Sequence, residues 1–224
     1  AFLCIAAMCA NALGITDLGH GGKIAAGFIA VISGYAASYF TALCAAPKKR
    51  YSIIKSTVIF IFVFYIIVLV DFTLIDDNLG RNIFNIYNWN TTAFSDYINR
   101  NTNIVPFATV RLFINAVKTS ALPLYAVLEN LLGNLAAFMP LPFFLPCLFK
   151  RFNNWYSVLI TVLLSVITVE MLQLLFLTGS SDIDDVILNT AGAMLLYGVL
   201  RIKGVSRFIS KITFGVWETE NGKD

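Results

Sequence analysis

Long apolar runs recur along this sequence, and they constrain its fold more than any other feature. A helix needs about 20 apolar residues to cross the ~30 Å hydrocarbon core of a bilayer. The runs are 1–16, which is short, followed by 23–46, 53–75, 123–148, 154–178 and 184–202. The sequence therefore predicts an all-α fold, a polytopic membrane helix bundle with about six transmembrane helices.

The composition agrees with a membrane protein. Hydrophobic residues make up 58% of the chain and charged residues 13%, and the mean hydropathy is +0.77. Soluble domains are nearer ~45–50% apolar and ~25% charged. The formal net charge of +3 is small, and the cations lie beside the apolar runs, which argues against nucleic acid as a partner.

Basic residues cluster at three places that predict the orientation of the chain. They are Lys48, Lys49, Arg50 and Lys55, then Lys150 and Arg151, then Arg201, Lys203, Arg207 and Lys211. With six spans all three clusters fall on one side, which the positive-inside rule assigns to the cytoplasm. Both termini are then cytoplasmic, whereas 76–122 and 179–184 are extracytoplasmic.

This orientation divides the chain into three predicted parts. Residues 1–50 form an N-terminal pair of spans. Residues 51–203 form the main transmembrane domain, which contains the extracytoplasmic segment. Residues 204–224 form a cytoplasmic tail in which apolar and basic residues alternate as in an interfacial helix.

Polar residues interrupt the last three apolar runs near their outer ends. They are Glu129, Asn130, Asn134, Glu170, Gln173, Asp182, Asp184, Asp185 and Asn189. At a rise of 1.5 Å per residue, all lie within ~16 Å of the outer end of their helix. Three pairs are three or four residues apart and therefore share a helix face: Asn130 with Asn134, Glu170 with Gln173, and Asp185 with Asn189. The simplest arrangement turns these stripes toward one another and forms a polar pocket open to the exterior.

The carboxylates allow two chemical hypotheses. A charge at the bilayer centre costs ~2.5 kcal/mol or more, so such residues usually face a protein interior or a watery cavity. In the catalytic hypothesis, Glu170 is the buried acid or base and Asp184 or Asp185 its solvated partner. In the metal hypothesis, Asp182, Asp184 and Asp185 bind a divalent cation such as magnesium or calcium. Asp182 equally fits a helix N-cap, and the two later acids fit the positive end of the helix dipole.

A further set of residues would line or border the pocket and bind a substrate. They are Glu129, Asn130, Asn134, Gln173, Asn189, Asn103, Pro106, Phe107 and Arg111. The proline-fixed turn at 103–107 would lie on the membrane or over the pocket mouth, and Arg111 would pair with the acids or with a phosphate. In the structural alternative, the amides bridge helices and the acids are their protonated partners.

Five motifs carry a resemblance to a known family. They are Asn-Ile-Val-Pro-Phe at 103–107, Glu-Asn-Leu-Leu-Gly-Asn at 129–134, Phe-Met-Pro-Leu at 138–141, Glu-Met-Leu-Gln at 170–173, and the run from Asp182 to Gly192. In order and spacing, over about residues 60 to 200, this sequence resembles the VanZ-like family. Two departures stand out. Pro142 replaces a common glycine, and the turn 179–181 reads Gly-Ser-Ser where the family often has an arginine, which weakens any proposal that needs a cation beside the acids.

The resemblance implies a setting more than a reaction. The family is named for an accessory factor in teicoplanin resistance of Gram-positive bacteria, so the implied location is the bacterial plasma membrane and cell envelope. The implied partners are membrane lipids and either a lipid-linked cell-wall intermediate or a lipoglycopeptide.

Three functional hypotheses follow. In the leading one, the pocket binds or modifies an amphiphilic envelope molecule and so aids resistance. In the second, the protein is a non-catalytic scaffold or binding protein whose polar residues are structural. A cation-coupled transporter ranks last, because inverted repeats with paired broken helices are not apparent.

Overall fold

The computed structural model describes residues 19–76, 81–88 and 90–217, and this part of the chain is almost wholly helical. Its α-helices are α1 (Gly19–Cys44), α2 (Pro47–Val70), α3 (Thr91–Asn101), α4 (Ala108–Lys118), α5 (Leu124–Ala137), α6 (Leu141–Leu148), α7 (Trp155–Leu175), α8 (Ile183–Leu200) and α9 (Lys203–Ile212). A π-helical turn (Asp71–Ile75) extends α2, and 3-10 turns lie at Ile83–Asn88 and Lys150–Asn153. The strands β1 (Thr102–Asn103) and β2 (Ser181–Asp182) form a short parallel ladder. The all-α prediction is confirmed.

Stretches long and apolar enough to cross a bilayer account for most of these helices. Within the described residues there are five: Gly21–Cys44, Pro47–Ile75, Leu124–Leu148, Trp155–Leu175 and Ile183–Leu200. They agree with five of the predicted spans and confirm a polytopic membrane protein. The predicted span at 1–16 lies outside the described residues.

The third of these spans is interrupted where its prolines begin. α5 ends at Ala137 and α6 starts at Leu141, with a tight turn between them. Pro140 and Pro142 flank the start of α6. The first N–H groups of a helix have no intrahelical acceptor, so a proline there loses no hydrogen bond. Pro146 lies inside α6, where a proline removes a hydrogen bond of the helix.

The described chain falls into two compact units, and the first comprises residues 19–66 and 207–217. In it the hydroxyl of Tyr35 donates a hydrogen bond of 3.0 Å to the backbone oxygen of Ile212. Trp217 is fully buried. Residues 213–217, which follow α9, are thus packed within this unit.

The second unit contains residues 67–206, and α8 is its central helix, packed against α5, α6 and α7. The closest approach is to α5. A Cβ placed on Gly192 would overlap the backbone oxygen of Leu135, so only a glycine fits there. Small residues at such crossings let helix backbones meet, as is common inside membranes.

A buried stripe on α7 determines where its polar residues point. Val158, Val162 and Val166 are almost fully buried. Residues four apart share a helix face, and Glu170 is the next member of this series. The acid therefore lies on the buried face of α7, near the end of the bundle at which α8 begins.

Candidate functional site

Glu170 and Gln173 connect α7 to two other parts of the second unit, and both side chains are buried. The Oε2 atom of Glu170 accepts a hydrogen bond of 3.1 Å from the backbone N–H of Asp182. The Nε2 atom of Gln173 donates to the backbone oxygen of Thr73 at 2.9 Å. Thr73 lies in the π-helical turn after α2, and such turns are frequent at functional sites.

Asp182 is the N-cap of α8. Its Oδ1 atom accepts hydrogen bonds from the backbone N–H of Asp184 at 2.9 Å and from Nδ2 of Asn103 at 3.0 Å. Its Oδ2 atom accepts a bond from the hydroxyl of Thr109. The N-cap alternative raised for this residue is therefore confirmed. The same bonds tie the start of α8 to β1 and to the first turn of α4.

Asp184 performs the same task for a different helix. It is buried, and its Oδ1 and Oδ2 atoms accept hydrogen bonds from the backbone N–H groups of Phe107 and, at 3.1 Å, of Val110. α4 begins without a side-chain cap of its own, and Phe107 precedes it in the left-handed region with φ of 62°. A bulky residue in that region costs about 1–3 kcal/mol and persists only where its surroundings hold it. The carboxylate of α8 supplies that support.

Asp185 faces α5 instead. The Nδ2 atom of Asn134 donates a hydrogen bond to Oδ1 of Asp185, which the close contact at Gly192 brings within reach. Nδ2 of Asn189 donates to the backbone oxygen of Asp185 at 2.8 Å. The buried Oδ1 atom of Asn189 has no hydrogen-bond donor among the described residues.

The four carboxylates form one electrostatic group, which we call the acid cluster (Glu170, Asp182, Asp184 and Asp185). Asp185 interacts electrostatically with both other aspartates, and Glu170 interacts with Asp185 and Asp182. The prediction that α7 and α8 present their acids to each other at one end of the bundle agrees with this arrangement.

Arg81 supplies a cation to the acid cluster, which corrects the expectation drawn from the Gly-Ser-Ser turn. A Cβ on Gly179 would overlap Nη1 of Arg81 and would lie 3.5 Å from the side chain of Gln173. The guanidinium interacts electrostatically with Glu170 and Asp185. Its buried Nε atom has no hydrogen-bond acceptor among the described residues. The cation thus comes from another segment and occupies space that a side chain at position 179 would fill.

Tyr97 of α3 also binds this turn. Its hydroxyl donates a hydrogen bond of 2.5 Å to the backbone oxygen of Gly179. Burial raises the pKa of the Tyr97 hydroxyl above its usual 10.0, although the bond to Gly179 and the charge of Arg81 act in the opposite direction. Sequence analysis missed both residues, since neither lies in an apolar run or in one of the motifs. The glycine at position 179, which leaves room for another side chain, was the sequence feature that could have indicated them.

The predicted substrate-binding residues separate into two groups. Asn103, Asn134 and Asn189 bind residues of the acid cluster through the bonds given above. Gln173 lies one turn after Glu170 and binds Thr73 instead. Pro106, Phe107 and Arg111 are exposed beside it, and Glu129 and Asn130 are exposed on α5.

The substrate-binding role of Glu129 and Asn130 stays a prediction, and both side chains are exposed. Asn134 lies on the side of α5 that meets α8. At 100° per residue Glu129 is turned ~140° away from Asn134, and Asn130 is displaced from it by ~40°. Glu129 therefore points away from the face that Asn134 occupies, whereas Asn130 shares that face.

The oxygens of the acid cluster bear on the predicted metal site. Within the described residues, no group of three or more histidine, cysteine, aspartate or glutamate side chains is arranged to hold a metal ion. The oxygens of Asp182 and Asp184 instead receive N–H and O–H donors, as capping carboxylates do. The metal role of Asp182, Asp184 and Asp185 stays a prediction.

Comparison with known proteins adds one positive finding. Neither the curated proteins nor the solved structures contain a match to this chain. The family model for VanZ/LLP1 matches residues 62–204, more than half of the sequence, including α3 to α8 and the whole acid cluster. The chain is therefore a membrane protein that belongs to the VanZ/LLP1 family.

Proposed function

We propose that this protein acts in the bacterial cell envelope and aids resistance to lipoglycopeptide antibiotics of the teicoplanin type. In this proposal an amphiphilic envelope molecule is bound, or bound and modified, at the acid cluster. The observation that carries the proposal is that four carboxylates and Arg81 meet beside an exposed apolar loop. A polar site bordered by apolar surface is complementary to a molecule with a polar head and a lipid tail.

The position of the cations supports an outward-facing cluster. The 3-10 turn Lys150–Asn153 and the end of α8 lie at the opposite end of their helices from Glu170 and Asp184. Arg201 and Tyr197 both donate hydrogen bonds to the backbone oxygen of Asn153, which holds these basic ends together. By the positive-inside rule that end is cytoplasmic and the acid cluster extracytoplasmic.

If the site modifies its ligand, Glu170 and Asp185 are the residues to carry the chemistry. Asp184 was a third candidate, but both of its oxygens accept bonds from backbone N–H groups at the start of α4. Arg81 would attract an anionic headgroup such as a phosphate, for which arginine is well suited. The Oδ1 atom of Asn189, which has no donor among the described residues, offers an acceptor to a ligand hydroxyl or amide.

A specific observation also favours the non-catalytic alternative. The hydrogen bonds of Asp182 and Asp184 are typical of carboxylates that hold secondary structure together. In that case the acid cluster would be a scaffold that fixes the external helices. Loss of one acid would then reduce folded protein, and any phenotype would follow protein level.

The test is resistance to teicoplanin in a susceptible Gram-positive host that produces either the wild type or the Glu170→Gln protein. Glu129→Gln is the matched control, since it makes the same change on the exposed side of α5. Membrane abundance and thermal unfolding in detergent are measured for each protein. The proposal expects Glu170→Gln to lose resistance at equal abundance, whereas the scaffold alternative expects resistance and abundance to fall together.

A further inference from the structure

An apolar loop at the start of α4 is largely exposed. We call it the apolar tip, and it consists of Ile104, Val105, Pro106 and Phe107. The exposed fractions of Ile104, Val105 and Phe107 are 79%, 60% and 58%. Exposed apolar surface of this kind commonly marks contact with a partner or a membrane.

The apolar tip is held in place at both of its ends. Before it, Asn103 donates to Asp182 and accepts a bond of 3.0 Å from the backbone N–H of Val105. After it, the N–H groups of Phe107 and Val110 bind Asp184. The exposed side chains are therefore part of an ordered arrangement anchored to α8.

This anchoring determines the height of the apolar tip relative to the membrane. Asp184 is the second residue of α8, and α8 is itself a candidate span, Ile183–Leu200. A loop bonded directly to the first turn of a span lies at the level where that span enters the bilayer. The tip is also flanked by cations, because Arg100 before it and Arg111 after it are both exposed. Apolar residues bordered by cations are typical of segments that lie in a membrane interface.

We propose that the apolar tip inserts into the adjacent leaflet of the bilayer and that its partner is the lipid surface. Ile104, Val105 and Phe107 would enter the interfacial region, while Arg100 and Arg111 contact lipid headgroups. The acid cluster would then act as the clamp that fixes the depth of the tip. This proposal does not depend on antibiotic resistance and is tested without any antibiotic.

The test is the depth of nitroxide spin labels in vesicles of phosphatidylcholine and phosphatidylglycerol. Labels are placed with Ile104→Cys and Val105→Cys, in a background in which Cys4, Cys9 and Cys44 are replaced by serine. Cys147 is buried and stays. Asn115→Cys, on the exposed side of α4, is the matched control, and the background without a new cysteine measures stray labelling.

We expect labels at 104 and 105 to collide mainly with oxygen, which concentrates in lipid, and the label at 115 to collide mainly with a water-soluble nickel chelate. Collision with the nickel chelate at all three positions would place the tip in water and overturn the proposal. An immobilised label at 104 that neither reagent reaches would also overturn it, because another protein surface, such as a second copy, would then cover the tip.

Discussion

Asp184 of α8 accepts a hydrogen bond from the backbone N–H of Phe107, a residue 77 positions earlier in the chain. This bond joins a membrane span to the loop between α3 and α4 and holds Phe107 in the left-handed region. One carboxylate of the acid cluster therefore maintains the conformation of a loop. Experiments on this cluster must accordingly measure stability and function separately.

Replacing Asp184 should loosen the start of α4. In Asp184→Ala the N–H groups of Phe107 and Val110 lose their acceptor. Both bonds are partly buried, so the cost should be at the lower end of the about 1–3 kcal/mol of a buried unsatisfied donor. Asp184→Asn keeps one acceptor oxygen, so its loss should be smaller. Thermal unfolding in nanodiscs measures both, and hydrogen exchange at residues 104–110 locates the effect. The exposed Asp96 provides the control: if Asp96→Asn lowers the melting temperature as much as Asp184→Ala, the capping role is contradicted.

Gly192 should tolerate no side chain. In Gly192→Ala the new methyl group would displace the backbone of α5 at Leu135, and overpacking of this kind costs about 1–3 kcal/mol. Gly198 lies on the same helix, and a Cβ placed there would meet no atom within 4 Å. Gly198→Ala should therefore be neutral or stabilising, by up to about 1 kcal/mol, because alanine is the better helix former. Equal melting temperatures for the two variants would show that α5 and α8 do not meet closely.

Arg81 should be needed beside the acids, and the size of residue 179 should control its access. We expect Gly179→Ala to lower the melting temperature, as Arg81→Ala should, because both changes remove the guanidinium from the acid cluster. The double variant should then be little worse than either single variant, since two changes that act on one interaction are not additive. Full additivity of the losses in melting temperature would mean that the two residues act independently.

Tyr97 should make stability depend on pH in the alkaline range. Burial raises the pKa of its hydroxyl in the folded state above 10.0, so the folded protein holds this proton more tightly than the unfolded chain. The stabilisation from the raised pKa of Tyr97 is complete below the pKa of the unfolded chain and is lost as the pH rises through the pKa of the folded protein. The stability of the wild type should thus fall more steeply above pH ~10 than that of Tyr97→Phe, a difference that unfolding temperatures across pH would measure. Parallel profiles would contradict this.

The sequence predicted the helices because they depend on local pattern. Apolar length defines a span, and a rise of 1.5 Å per residue converts position into depth. Glu170 and Asp185 were brought to the same end of the bundle by this reasoning alone. It could not orient α5, because a helix that is apolar nearly all round gives no reference face, and so it grouped Glu129 with Asn134 although their side chains point in different directions.

Long-range contacts were beyond the reach of sequence patterns. Arg81 meets Gly179 across 98 positions of the chain. Asp184 reaches the start of α4, and neither partner is marked by a spacing rule. The capping role of Asp182 was foreseen because an N-cap is a local feature of the sequence. The cap that α8 provides for α4 was not, because it depends on how the loop before α4 packs against α8.

The most direct test of the account compares teicoplanin resistance conferred by the wild type, Glu170→Gln and Glu129→Gln at measured membrane abundance. The account predicts that Glu170→Gln loses resistance while its abundance stays at the wild-type level, and that Glu129→Gln keeps both. Full resistance with Glu170→Gln at normal abundance would contradict a functional role for the acid cluster.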